Sequence, residues 1–156
     1  MTISTGSALL IFVSYVGPAS AGDYSVASTT QAGQTSGSRL FVAGRVVDQN
    51  HFYAGQLDLA GSTFAIRKNT NGLWTTLASV STPTLAAGTD YRIRLDLQGT
   101  TLRAKWWVAG QLEPAAWTVE ATDATYSVGQ TGVGAAMTNT RSTGTYKFDD
   151  FSTSAL

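Results

Sequence analysis

The sequence predicts an all-β protein, built as a two-sheet antiparallel β-sandwich, from three observations. Apolar and polar residues alternate in several stretches, most regularly at residues 91–98, as in a strand with one face on a core and the other in water. Turn residues recur roughly every ten positions between these stretches. No stretch shows the apolar period of an amphipathic helix. Many short strands without helices between them are typical of a sandwich.

The composition fits a single domain over residues 1–156, because a chain of this length can bury one substantial core. Charged residues make up 13% of the chain and sum to a net charge of zero, so no basic surface is available for nucleic acid. The chain has no cysteine and one histidine, which argues against a zinc site. We expect no nucleic-acid partner and no resident cofactor.

Residues 8–16, with the sequence ALLIFVSYV, allow two interpretations. With the small residues that follow, they resemble the core and cleavage site of a signal peptide, so residues 1–21 would be removable. Against this, the preceding MTISTGS has no Lys or Arg, and Ser14 and Tyr15 interrupt the apolar run. We expect a retained strand that is buried on both faces. A bilayer-spanning helix needs about 20 apolar residues, so no membrane partner is expected.

The other strands are located by the turns between them. Residues 48–50 (DQN) and 71–72 (NG) are strong hairpin signals, and residues 99–100 (GT) turn the chain between the two most regular strands. The strands are expected at residues 24–30, 40–47, 51–59, 63–68, 73–79, 91–97, 102–107, 117–121, 132–137 and 145–153. Ten or eleven strands in this arrangement favour a jelly roll.

Two adjacent tryptophans in the strand at residues 102–107 must point to opposite faces, because side chains alternate along a strand. Trp106 lies on the apolar face, whereas Trp107 shares the polar face with Arg103 and Lys105. Trp107 is therefore either a platform on which a sugar ring stacks or an anchor packed into the corner at residues 113–117. Both interpretations stay open at this point.

Further candidates for ligand contact lie outside that hairpin. Trp74 follows the Asn-Gly turn and is expected to be exposed. Tyr53, Arg67 and Arg94 are candidates to line one sheet together. The predicted ligand-binding set is Trp107, Trp74, Arg103, Lys105, Tyr53 and Arg94.

Catalysis is not expected. Jelly-roll glycosidases need two carboxylates about 5–10 Å apart across the sugar. The only two glutamates are Glu113, in a corner, and Glu120, on a different strand. His51 is the only histidine, and a partly exposed structural role suits it better than a place in a Ser/His/Asp triad. No phosphate-binding or dinucleotide-binding motif is present.

Three segments carry a family resemblance: VAGRVVDQNHFYAGQL, AGTDYRIRLDLQGTTLRAKWWVAGQLEPAAW and YKFDDF. Together they resemble the concanavalin A-like (laminin-G-like) jelly-roll modules, in particular those of minor tail and other virion proteins of actinobacterial viruses and of secreted actinobacterial proteins. The resemblance covers residues 40–152. Its most specific part is the ordered spacing of Tyr91, Gly99, Leu102, Trp107, Glu113-Pro114 and Trp117.

The resemblance implies a non-catalytic structural and adhesion module of a virion, in the tail or as a capsid decoration. Such a module would assemble with other virion subunits or copies of itself and contact host-surface glycans. The alternative is a free-standing secreted carbohydrate-binding protein, and the third interpretation is a diverged glycoside hydrolase. All place the chain on a virion or outside the cell. Laminin-G-like modules sometimes hold calcium, so Asp149 and Asp150 are the candidate ligands, completed by Asp23 and Asp48.

Overall fold

The computed structural model of the protein describes residues 2–3, 10–15, 22–137 and 144–156. This part of the chain contains strands and turns only. Its strands are β1 (Thr2–Ile3), β2 (Leu10–Tyr15), β3 (Tyr24–Ala32), β4 (Ser38–Asp48), β5 (His51–Asp58), β6 (Thr63–Thr70), β7 (Leu73–Ser81), β8 (Tyr91–Gln98), β9 (Thr101–Val108), β10 (Val119–Thr122), β11 (Gln130–Met137) and β12 (Gly144–Ala155). No described segment is a helix of the length and apolar character needed to cross a bilayer.

The strands form two antiparallel sheets of six strands each. The first sheet has the order β1-β12-β3-β8-β9-β10, and the second has the order β2-β11-β4-β5-β6-β7. Successive hairpins join β4, β5, β6 and β7, and a further hairpin joins β8 to β9. The strands β11 and β12, near the end of the chain, pair with β4 and β3 respectively. The predicted two-sheet antiparallel jelly roll is confirmed.

The strands predicted from residue 24 onwards are all present, with ends that differ by a few residues. Near the N-terminus, the predicted strand at residues 8–16 is present at Leu10–Tyr15, where it pairs with β11. Its remaining residues lie outside the described part of the chain. Whether residues 1–21 are cleaved stays a prediction.

The main core lies between the sheets. In β8, Tyr91, Ile93, Leu95 and Leu97 are buried in it, as the alternation predicts. Trp106 is partly buried against the same core, with its ring centroid 5.8 Å from that of Tyr91. The expectation that Trp106 is a core residue is therefore confirmed.

A second apolar cluster lies on the other side of the second sheet, facing away from the main core. Phe41 and Phe52, both fully buried, stack with their ring centroids 5.9 Å apart. Trp74 meets both rings edge-on, at 5.8 and 5.3 Å. The strands β4 and β5 are thus buried on both faces.

A buried arginine joins several loops at one end of the sandwich. Arg45 is 1% exposed, and its guanidinium donates hydrogen bonds to the carbonyl oxygens of Gly22 (2.6 Å), Gly99 (2.7 Å) and Tyr126 (3.0 Å). Its backbone N–H donates to the hydroxyl of Tyr24. The side chain therefore satisfies carbonyl groups of three connecting segments at once.

Candidate functional site

A groove of about 130 Å³ opens on the outer face of the first sheet. Four segments contribute to it: β3, β8, β9 with the loop after it, and β12. Its lining residues are Ser25, Ala27, Arg92, Arg94, Trp107, Glu113, Ser152, Thr153 and Ser154. Hydroxyl groups thus form one wall, and an aromatic ring with charged groups forms the other.

The strand register brings these side chains together. Ala27 lies opposite Arg94 of β8 on one side and opposite Ser152 of β12 on the other. Arg92 lies opposite Trp107 of β9. Because directly opposed residues of paired strands share a sheet face, the alternation that sends Ile93 inward places both arginines in the groove.

The loop after β9 folds back over this sheet face through an ion cluster. Glu113 Oε1 lies 3.0 Å from Arg94 Nη1 and 2.8 Å from Lys105 Nζ. Lys105 also donates to the carbonyl oxygen of Pro114 at 2.8 Å and lies 4.5 Å from the ring centroid of Trp117. Lys105 is only 6% exposed, so its ammonium group is not open to a ligand. Lys105 can affect a ligand only by holding Glu113 in place.

Trp107 lines the groove, but only 8% of its surface is exposed, so most of the ring is covered and a small part is open. The charged corner at residues 113–117 is held by Trp117, over whose ring Arg94 and Lys105 lie at 5.4 and 4.5 Å. The open part of the Trp107 ring thus faces the groove, while most of its area contributes to packing. Its role as a ligand platform stays a prediction.

The ion cluster fixes the charge state of the groove. Burial raises the pKa of Glu113, but the hydrogen bonds and charges of Lys105 and Arg94 outweigh it and leave the pKa below its ordinary value. Arg94 is also held by Asp96, at 2.8 and 3.1 Å, and this contact raises the pKa of Arg94. Glu113 is therefore ionised at neutral pH and accepts hydrogen bonds from the groove's edge.

A second hollow, of about 260 Å³, continues along the same sheet face, where Asp96, Gln98, Thr101, Arg103 and Leu156 line it. Asp96 lies opposite Ser25 of the groove, so the two hollows adjoin. Arg103 pairs with Glu120 at 2.6 Å in an exposed contact. The predicted candidates Trp107, Arg94, Arg103 and Lys105 thus lie on one face, as the alternation indicates.

Tyr53 does not belong to this face, and the prediction that it lines the same sheet as Arg94 is wrong. Tyr53 lies in β5 of the second sheet and is fully buried. Its hydroxyl donates to Asp123 Oδ1 at 2.5 Å and accepts from the backbone N–H of Tyr126 at 3.1 Å. In β5 Phe52 points outward and Tyr53 inward, and both positions are apolar environments that alternation cannot tell apart.

Trp74 and Arg67 lie on the outer face of the second sheet, with the guanidinium carbon of Arg67 5.3 Å from the ring centroid of Trp74. Because this face is on the far side of the sandwich, Trp74 and Trp107 cannot contact one small ligand. The predicted site is therefore divided between two surfaces.

The four aspartates considered as calcium ligands do not form one cluster. Asp149 Oδ1 accepts from the backbone N–H of Asp150 at 2.8 Å, and Asp150 Oδ2 lies 3.5 Å from Arg92 Nη1. Asp23 accepts from Gly99 N–H at the end of the sandwich, and Asp48 pairs with His51 in an exposed turn. Within residues 22–137 and 144–156, no three acidic or histidine side chains form a cluster suited to a metal ion.

Several groove residues were not in the predicted set. Arg92 could have been found, since it shares the alternation of Arg94. Ser152 and Ala27 could not have been found, because no local sequence signal predicts that β12 pairs with β3.

Comparison with known proteins finds this fold among proteins that bind or cleave sugars. No protein-family model and no curated protein matches the sequence. The carbohydrate-binding module CBM66 from Bacillus subtilis superposes with a TM-score of 0.73 at 16% identity, over 99% of this chain and 86% of that chain. The exoplasmic/lumenal domain of VIP36, in its Ca²⁺/Man3GlcNAc-bound form, gives 0.67 at 14% identity, over 99% of this chain and 77% of that one.

A GH43 protein, BlXynB from Bacillus licheniformis, gives a TM-score of 0.59 at 16% identity; 96% of this chain matches 33% of that longer chain. At identities this low, the similarity establishes the fold alone. The chain thus has the two-sheet jelly-roll fold of these structures.

Proposed function

We propose that the protein binds carbohydrate, without catalysis, in the groove on the outer face of the first sheet. The observation that supports this most directly is that the open part of the Trp107 ring and a row of hydroxyl groups line the same shallow groove. Sugar rings present apolar C–H faces and a rim of hydroxyl groups, so they suit a ring surface beside directed donors and acceptors. The fold shared with a carbohydrate-binding module supports the same function.

Each wall has a distinct role in this proposal. The open part of Trp107 contacts the apolar face of a sugar, and Arg92 and Arg94 donate to its hydroxyl oxygens. Ser152 and Ser154 donate and accept from the opposite wall. Glu113, ionised and held by Arg94 and Lys105, accepts hydrogen bonds from sugar hydroxyls.

The charge state of Glu113 supports a non-catalytic function. A glycosidase general acid needs a raised pKa so that it carries a proton at neutral pH. The pKa of Glu113 is lowered, and Asp96, another carboxylate of this face, has both oxygens bonded to Arg94. Neither carboxyl group is placed as a proton donor to a glycosidic oxygen.

Filling the groove should weaken binding at least tenfold, or about 1.4 kcal/mol. Ser152→Trp suits this test, because Ser152 is exposed and its replacement removes no core contact. Dissociation constants for mannan, xylan and a β-glucan would be measured by affinity electrophoresis. Trp107→Ala should also lose binding. Because this ring is mostly buried, a melting curve of the variant would show whether the fold is retained.

Leu73→Trp is the matched control, since it places the same side chain at a position of β7 on the other sheet that is 72% exposed. It should bind as the unmodified protein does. Equal affinity in Ser152→Trp would remove the groove from the proposal, and failure of all three polysaccharides to bind would count against carbohydrate recognition. Release of reducing sugar that disappears in Glu113→Gln would overturn the non-catalytic assignment.

The setting of this binding is a separate proposal. The resemblance over residues 40–152 favours a virion module or a secreted protein, and the similarity to carbohydrate-binding proteins supports the free-standing secreted form better. We expect the purified protein to run as a monomer in size-exclusion chromatography with light scattering. A closed oligomer that co-purifies with virus particles would favour the virion module instead.

A further inference from the structure

The outer face of the second sheet carries another hollow, of about 260 Å³, on the side of the sandwich opposite the groove. Two guanidinium groups line it, those of Arg39 and Arg67, together with the single carboxylate of Asp58. Hydroxyl groups complete its rim at Thr63, Thr76 and Ser79. Its lining thus holds two positive charges and one negative charge.

The two arginines have unequal partners. Arg39 Nε donates to Asp58 Oδ2 at 2.7 Å, so the only carboxylate of the lining is already paired. Arg67 Nη1 donates to the neutral amide oxygen of Gln56 at 3.1 Å. The buried Nε of Arg67 has no hydrogen-bond partner among the residues that the structure describes. The charge of Arg67 therefore lacks an anionic partner there.

Packing holds Arg67 in this position. Its guanidinium lies against the ring of Trp74, and that ring is fixed in turn by Phe41 and Phe52. Burial, and then the nearby charge of Arg39, lower the pKa of Arg67 despite the opposing charge of Asp58. A preorganised guanidinium of this kind loses little conformational freedom when it binds an anion.

We propose that this hollow binds the carboxylate of an acidic saccharide, with Arg67 as the principal contact. A carboxylate is planar and matches the edge of a guanidinium, which gives short charge-assisted hydrogen bonds. The hydroxyl groups of Thr76 and Ser79, on the edge strand β7, lie where the rest of a sugar ring can be hydrogen-bonded. The proposal does not rest on the groove, which is on the opposite face.

Calorimetry at low ionic strength tests this with three probes: trigalacturonate, neutral galactotriose and acetate. The unmodified protein should bind trigalacturonate at least tenfold more tightly than galactotriose. Arg67→Met, which keeps an unbranched side chain against Trp74 but removes the charge, should abolish this preference. Lys147→Met is the matched control, because it removes one positive charge from an exposed position of β12 on the first sheet, and it should keep the preference.

Equal affinity for the acidic and neutral trisaccharides would overturn the proposal, as would a preference that survives in Arg67→Met. Acetate binding as tight as that of trigalacturonate would overturn the saccharide assignment. Should Arg67→Met fail to fold, Ser79→Trp fills the same hollow from an exposed position and should give the same loss. Ser152→Trp fills the groove but should leave the Arg67-dependent binding of trigalacturonate in place, which distinguishes failure here from failure of the groove.

Discussion

Arg45→Met should lower the free energy of unfolding by roughly 3–5 kcal/mol, near the upper end for a single substitution. The guanidinium is almost fully buried and donates to carbonyl oxygens of Gly22, Gly99 and Tyr126. A methionine fills similar volume but donates no hydrogen bond, so three carbonyl groups lose their partner, and that of Tyr126 is buried. Urea titration followed by tryptophan fluorescence would measure the difference.

Arg103→Met provides the control, because Arg103 and Glu120 form an exposed pair whose loss should cost below about 1 kcal/mol. Arg45→Lys should lie between the two variants, since one ammonium group cannot reach all three carbonyls that the planar guanidinium reaches. A loss in Arg45→Met no larger than that in Arg103→Met would show that the loops are held by other contacts.

The burial of Arg45 illustrates what the sequence leaves hidden. In VAGRVVD an arginine within a strand is expected to point to water. The register between β4 and β5 shifts between Gly44 and Asp48, and Arg45 has a positive φ of 48°. This irregularity turns the side chain towards the loops, and no local pattern announces it. Gly129 is needed beside it, because a Cβ there would collide with the backbone of Arg45.

Local structure, in contrast, follows from the sequence where each strand has one buried and one polar face. In β8, Ile93 and Leu95 are buried, and Arg92 and Arg94 reach the groove. The alternation fails in β5, whose two faces are both apolar, and there the placement of Tyr53 is wrong. The pattern thus gives the fold and half of the candidate groove.

The other half of the groove depends on long-range pairing. Ser28 Oγ donates to the backbone oxygen of Asp149, 121 positions away, where β12 pairs with β3. That pairing brings Ser152 and Ser154 to face Trp107 across the groove. Turn signals predict hairpins between neighbouring strands but carry no information on pairs so distant. The order of strands in the sheets, and so the second wall of the groove, had to come from the structure.

Asp123→Asn should lower the free energy of unfolding at neutral pH by about 2–3 kcal/mol. Asp123 Oδ2 accepts from Lys68 Nζ at 2.6 Å, and Oδ1 accepts from the hydroxyl of Tyr53 and from the backbone N–H of Thr125. These contacts attach the loop after β10 to the second sheet. An asparagine presents its NH₂ group to one of these donors, so one bond is lost and Lys68 loses its counter-charge.

The same contacts make stability depend on pH at both ends of the scale. Burial raises the pKa of Asp123, but the hydrogen bonds from Lys68, Thr125 and Tyr53 outweigh it and leave the pKa well below its ordinary value. An aspartate in the unfolded chain has a pKa of about 3.9. The stabilisation from Asp123 is therefore complete above that pH and is lost as the pH falls below it. Asp123→Asn should flatten this acid limb, whereas Glu120→Gln, in an exposed pair, should leave it unchanged.

At alkaline pH Tyr53 contributes to the loss of stability, together with Tyr24 and Tyr146, whose pKa values burial also raises. Burial, and then its hydrogen bond to Asp123, raise the pKa of Tyr53 to about 12. A tyrosine in the unfolded chain has a pKa of about 10. The contribution of Tyr53 to stability is therefore complete below that pH and is lost between about 10 and 12. Urea midpoints measured across pH 3–11 should fall at both ends, and Tyr53→Phe should reduce the alkaline decline. It should change the acid limb less, because it removes only one of the hydrogen bonds that lower the pKa of Asp123. A decline of equal size in Tyr53→Phe would assign it to another group.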